Sequence, residues 1–168
     1  LLYADGIFCE FAVFEPQELL SIPFTPGRIV WQRADAPANL EQPVLPMPAA
    51  SPRDPDWLLG EALTNLLVGL GRERRGEKLS ALRFIQGYAV DRLLDLVPGL
   101  ANAGAALPDA FDHERRFEQR YPELAVLLPG FMQGYARNRE SALAILSYLE
   151  GHFEVNRELA AKIRELAG

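Results

Sequence analysis

The chain has 168 residues, 49% of them apolar and 24% charged, with a formal net charge of −6. That is the composition of one generous globular domain or two small ones, long enough to bury a core without staples. The acidic balance leaves no overall basic surface to hold nucleic acid by counterion release. The single cysteine, Cys9, rules out an intrachain disulfide or a cysteine-based zinc site.

The first candidate element is the run Tyr3-Ala-Asp-Gly-Ile-Phe-Cys-Glu-Phe-Ala-Val-Phe14. Tyr3, Phe8, Phe11, Val13 and Phe14 are aromatic or β-branched and suit a pleated, half-buried surface, which predicts a strand over about 2–14. Cys9 in this apolar run reads as a buried small hydrophobe. Glu10 has two readings: a carboxylate offered to a hard divalent cation, or a solvent-facing position on a half-exposed strand. Glu15-Pro16-Gln17-Glu18-Leu19-Leu20 suits one helical turn. After Pro23, Pro26 and Gly27, the stretch 27–33 predicts a second strand, with Ile29 and Trp31 on one face. Two strands cannot close a core alone. Residues preceding Leu1 are therefore expected to complete the sheet.

Residues 34–53 contain Pro37, Pro43, Pro46, Pro48 and Pro52 with five alanines, and are read as an extended linker. Everything beyond it reads as helix. Asp54-Pro55-Asp56 is a helix start. Leu59, Ala62, Leu63, Leu66, Leu67 and Leu70 form an apolar helical stripe. Leu79, Leu82, Ile85, Ala89, Leu93 and Leu96 mark a second helix, ended by Pro98-Gly99. Asp109 or Asp112 is expected to cap a third, and Pro122 to start a short fourth that Pro129-Gly130 break. Ala142, Ile145, Leu146 and Leu149 mark a fifth, capped near Asn138, and Leu159, Ile163 and Leu166 a sixth. The expected fold class is α+β, mostly α: part of a small mixed sheet (1–33), a linker (34–53) and a helical bundle (54–168).

The charged corner Arg72-Glu-Arg-Arg-Gly-Glu-Lys78 lies between two apolar stripes. Arg75 and Lys78 suit phosphate, and Glu77 could serve as a general base. The other reading is a solvated charge run. His113 and His152 have no ligand-spaced partners apart from Asp112 beside His113, and read as surface residues. No Gly-x-Ser-x-Gly elbow, phosphate loop or dinucleotide fingerprint occurs. No apolar run approaches the length that spans a bilayer, and no basic-then-apolar leader opens the chain, so the cytoplasm is the expected location.

Asp5-Gly-Ile-Phe-Cys-Glu-Phe-Ala-Val-Phe14, then Pro26-Gly-Arg-Ile-Val-Trp-Gln-Arg33, then Arg75-Gly76-Glu77 resemble the later part of a bacterial nucleotidyltransferase of the aminoglycoside or polymerase-β-like superfamily. The resemblance implies transfer of a nucleoside monophosphate, in particular AMP from ATP, to a small-molecule hydroxyl with Mg²⁺. Glu10 matches the family's third metal carboxylate. Arg75 and Lys78 would bind nucleotide or acceptor, and Glu77 would act as base. The family's Gly-Ser and Asp-x-Asp motif is not in this chain, so either earlier residues carry it or the protein is a catalytically dead relative. The alternative is a non-catalytic helical binding module. No nucleic-acid or membrane partner is expected, and the resemblance allows a homodimer.

Overall fold

A computed structural model describes residues 3–46, 54–101, 103, 104, 106 and 114–168. The chain divides into two compact units, Leu1–Ser51 and Pro52–Gly168. The expected caps Asp109 and Asp112 and the histidine His113 lie outside the described residues.

The first unit corrects the fold class. Among the described residues the protein is all-α, 55% helical with 1% strand and no sheet. Residues 9–15 and 22–29 are irregular, with one isolated bridge at Phe8. Strand residues are stabilised by their neighbours on a buried face, and these side chains have none. Phe8, Phe11, Val13 and Trp31 are 65–85% exposed. Without a third strand or a packed face, two short segments do not hold a ladder, and Pro16, Pro23 and Pro26 remove donors between them. The one regular element is a single 3₁₀ turn, Glu18–Leu20. Glu18 Oε2 accepts from Glu15 N at 2.7 Å and so closes it. Gly27 N donates to Glu41 O at 3.0 Å, which ties residues 34–46 back onto the earlier part of the unit. Cys9, expected to be buried, is only half-buried.

The second unit is a helical bundle. Helix α1, Pro55–Arg74, starts as the Asp-Pro-Asp signal predicts: Asp54 accepts from Asp56 N at 3.0 Å, with Pro55 at the first helical position. It is the central helix and packs on every long helical element of the unit. A second helical run follows without a break: α2 (Lys78–Leu82), a π stretch (Arg83–Ala89), α3 (Val90–Leu96) and a closing 3₁₀ turn (Val97–Gly99). Three short helices come next: α4 (Phe117–Arg120), α5 (Pro122–Ala125) and α6 (Leu128–Phe131). Pro129 and Gly130, expected to break the chain, lie inside α6, where Pro129 is in the first turn and loses no hydrogen bond. Then come α7 (Asn138–His152) and α8 (Arg157–Ala167).

The stripes meet where helical periodicity places them. Leu66, Leu70, Ile85, Leu93, Ile145, Leu149 and Ile163 are fully buried. At about 1.5–3 kcal/mol for each large aliphatic side chain removed from water, this core outweighs any surface term in the unit. Charged residues close the ends. The Arg74 guanidinium donates to Glu165 O at 2.5 Å and Leu166 O at 3.1 Å, satisfying carbonyls at the end of α8. Asn156 caps the start of α8 by accepting from Leu159 N at 3.0 Å.

The α1 backbone comes unusually near the π stretch. A Cβ added at Gly69 would sit 2.5 Å from Ile85 Cγ1 and 3.1 Å from Phe84 Cβ. Neither atom is the free end of a flexible side chain, so the helices would have to separate. Gly69→Ala should therefore lower unfolding stability by about 1–3 kcal/mol, read by urea denaturation. An unchanged midpoint would show that the two helices give way freely.

Candidate functional site

The site candidate is the corner where α1 turns into α2. Its shape follows from how α1 ends. Glu77 N donates to Arg72 O at 3.0 Å and Gly76 N to Glu73 O at 2.9 Å, the paired bonds of a Schellman stop. That stop needs a residue with positive φ, and Gly76 has φ +81. The glycine of Arg75-Gly76-Glu77 thus has a complete structural explanation in helix termination.

The turn sets Arg75 and Glu77 side by side on the surface. Arg75 Nε lies 2.7 Å from Glu77 Oε1 and Arg75 Nη2 3.2 Å from Oε2, a forked pair. The hydrogen bond from Arg75 holds the Glu77 carboxyl below its ordinary range and raises Arg75 in turn. A carboxylate stabilised in this way is a poorer proton acceptor than a free one. Both side chains are substantially exposed, so the pair adds little to stability.

Beside this pair is an open cavity of about 510 Å³, lined by Gly76, Glu77, Lys78, Leu79, Ser80, Arg83 and Tyr135. Among the described residues, neither the Lys78 ammonium nor the Arg83 guanidinium has a hydrogen-bond or ion-pair partner. Leu79 and Tyr135, both exposed, supply apolar surface. Ser80 Oγ accepts from Arg72 Nη1 at 2.5 Å, and the Arg72 guanidinium lies 4.4 Å from the Phe84 ring centroid. Arg72 therefore belongs to the scaffold beneath the cavity.

What holds the two walls in register is a buried amide network. Asn138 is 1% exposed and Gln86 6%. Gln86 Nε2 donates to Gly134 O and to Asn138 Oδ1, both at 2.8 Å, and Gln86 Oε1 accepts from Gly134 N at 2.7 Å. Asn138 Nδ2 donates to Glu73 Oε2 at 2.8 Å and reaches Lys78 O at 3.2 Å and Tyr135 O at 3.4 Å. One side chain thus ties the end of α1, the start of α2, the π stretch and the loop before α7. Below it, Ser141 Oγ accepts from Gln133 N at 3.2 Å.

Helix α7 starts near Asn138 as expected: Asn138 is its first residue and Arg137 holds the cap position. The Asn138 amide turns inward to the network and does not cap the helix. Asparagine before an apolar stripe carries the same signature whether its amide bonds its own helix or turns inward, so the sequence holds no signal for this role. Arg83, Ser80 and Tyr135 were missed as well. Arg83 and Ser80 sit in the second apolar stripe, and Tyr135 lies in a loop distant in sequence.

Of the expected site residues, Arg75, Glu77 and Lys78 come together at this corner, whereas Glu10 is a residue of the first unit. Glu10 is exposed on irregular backbone, not on a sheet edge, and its carboxylate has no partner among the described residues. Asp5 Oδ1 is engaged by Ile7 N at 3.1 Å in a local turn. No group of three or more His, Cys, Asp or Glu side chains comes together among the described residues. Mg²⁺ sites draw on more than one carboxylate plus phosphate. The described residues do not make such a set, so no step through Mg²⁺ follows from them.

His152 is exposed, with its ring stacked on Tyr148 at 4.2 Å and Nδ1 2.8 Å from Tyr148 O. The first unit has its own depression of about 470 Å³, lined by residues such as Leu19, Leu20, Leu40 and Val44 with no ionisable side chain. It offers no acid, base or charge for chemistry. No helix among the described residues is long and apolar enough to cross a membrane. No protein-family model matches the chain, and no curated protein or solved structure matches it significantly.

Asn138→Ala would strand Glu73 Oε2 and the Lys78 carbonyl and leave a buried gap. Its expected cost is about 2–3 kcal/mol, against about 1 kcal/mol for Asn156→Ala, which removes only a helix cap. Urea unfolding of both variants checks the order. Equal losses would mean that Asn138 does no more than a cap.

Proposed function

We propose that the protein is nucleotidyltransferase-like. In intact form it transfers a nucleoside monophosphate from a nucleoside triphosphate to a small-molecule hydroxyl, and the corner of the helical unit binds phosphate or acceptor. The observation that carries this reading is the pair of unpartnered cations, Lys78 and Arg83, beside an open cavity at the Arg75-Gly76-Glu77 tripeptide. A point-charge ammonium and a forked guanidinium on one rim are suited to a multiply charged phosphate. Tyr135 offers a ring face and Leu79 an aliphatic one to the uncharged part of the ligand.

Glu77 enters as the proton acceptor only once Arg75 is drawn off it, because the ion pair depresses its basicity. Magnesium, when bound, would neutralise phosphate charge. Glu10 offers it a single oxygen ligand, and further carboxylates are needed beside it. The reading places the protein in the cytoplasm, where nucleoside triphosphates are available.

A second reading is favoured by the lack of a carboxylate cluster among the described residues: a helical module that binds its ligand without transferring anything. The two differ in their dependence on magnesium. In calorimetric titration of the whole chain with ATP, Lys78→Ala and Arg83→Ala should each weaken binding by about three- to tenfold. Under the transferase reading Mg²⁺ tightens ATP binding, whereas under the module reading it leaves binding unchanged. Unaltered binding in both cation variants would remove the corner from either account.

A further inference from the structure

We propose that Glu77 is an internal competitor for anions at this corner: its carboxylate occupies the Arg75 fork until a polyvalent phosphate displaces it. The inference rests on the reading of the corner as a phosphate site and names what that site selects.

Three observations carry it. First, the two hydrogen bonds between Arg75 and Glu77 use the guanidinium edge that a phosphate would use, through Nε and Nη2. Second, Glu77 lines the cavity together with Lys78 and Arg83, and Arg75, which is not itself a lining residue, is held 2.7 Å from Glu77 Oε1. Third, the pair is open to water, with side-chain exposures of 60% and 44%, and among the described residues its only side-chain hydrogen bonds are to each other, the Arg72 charge adding a further attraction on Glu77. An exposed pair of this kind is weak and separates readily.

Selection follows from tethering. Glu77 is two residues from Arg75, so its effective concentration at the fork is at least on the order of millimolar. A free monocarboxylate makes the same two bonds and gains nothing further, so it loses to the tethered one. A di- or triphosphate gains additional attraction from Lys78 and Arg83, which Glu77 leaves unpaired. Only the polyvalent ligand has a net advantage. Its arrival also releases the Glu77 carboxylate from the bond that depresses its basicity.

The test is calorimetric titration with sodium pyrophosphate at pH 8 and constant ionic strength, using the whole chain. Four proteins are compared: wild type, Glu77→Gln, Arg75→Gln and the double variant. Both residues lie on the surface, and circular dichroism confirms that each variant is folded. Glu77→Gln should bind pyrophosphate roughly threefold tighter than wild type, with that gain lost in the Arg75→Gln background. Acetate should show no binding to wild type.

An equal gain with and without Arg75 would mean simple charge repulsion and overturn the competitor. So would wild-type binding that Lys78→Ala weakens but Glu77→Gln leaves unchanged, and that outcome spares the phosphate site. No pyrophosphate binding by any of the four would overturn both.

Discussion

The side-chain amide of Asn138 holds the charged corner of the helical unit in shape. It is 1% exposed, so each of its polar atoms needs a partner inside the protein. It finds them on four separate pieces of chain: Glu73 at the end of α1, the Lys78 carbonyl at the start of α2, Gln86 in the π stretch and the Tyr135 carbonyl before α7. In a low-dielectric interior such bonds reinforce one another, and losing any partner exposes the rest to an uncompensated desolvation cost. No single apolar residue could replace it, because the groups it satisfies are backbone carbonyls and a carboxylate to which no other side chain among the described residues is hydrogen-bonded.

The division of labour at the corner follows from this. Backbone carbonyls are held while the Lys78 and Arg83 charges have no partner among the described residues. The carbonyls of Lys78 and Tyr135 are both held by Asn138, and both residues line the cavity. Arg72, Ser80 and Phe84 stiffen the base of the same turn. A held backbone that presents unpartnered cations suits the capture of a charged ligand. The π stretch takes part in the same arrangement. In it, consecutive residues are both buried: Ile85 against Gly69 of α1, and Gln86 against Gly134 and Asn138. An α-helix rotates neighbouring residues by about 100°, and here one helical run must satisfy an apolar neighbour and a polar one at once. π segments are often found at sites under such demands.

The first unit shows the opposite balance. Its apolar residues are as numerous as a strand needs, yet Phe8, Phe11, Val13 and Trp31 face water, and apart from the Gly27–Glu41 bond the backbone bonds described there are local turns. Alternation of apolar and polar residues records that a segment is suited to a sheet. It does not supply the neighbouring strands, and without them the same residues stay irregular. Glu10 shares that fate. The chemistry of a lone carboxylate depends on what stands beside it, and here that is solvent.

Helix placement in the second unit was legible because it depends on local physics. Asp54-Pro55 starts α1 through its own backbone geometry, and the spacing of Leu59, Leu63, Leu66 and Leu70 sets the buried face. The clustering of Arg75, Glu77 and Lys78 was equally local, since they are near neighbours around one turn. Tertiary structure decided the rest. Asn138 and Gln86 are 52 residues apart and Asn138 and Glu73 65 apart, so their pairing exists only once the helices have packed. Arg83 and Tyr135 joined the corner for the same reason. The strands failed for the complementary one: a helix closes its hydrogen bonds within itself, whereas a strand takes them from other parts of the chain.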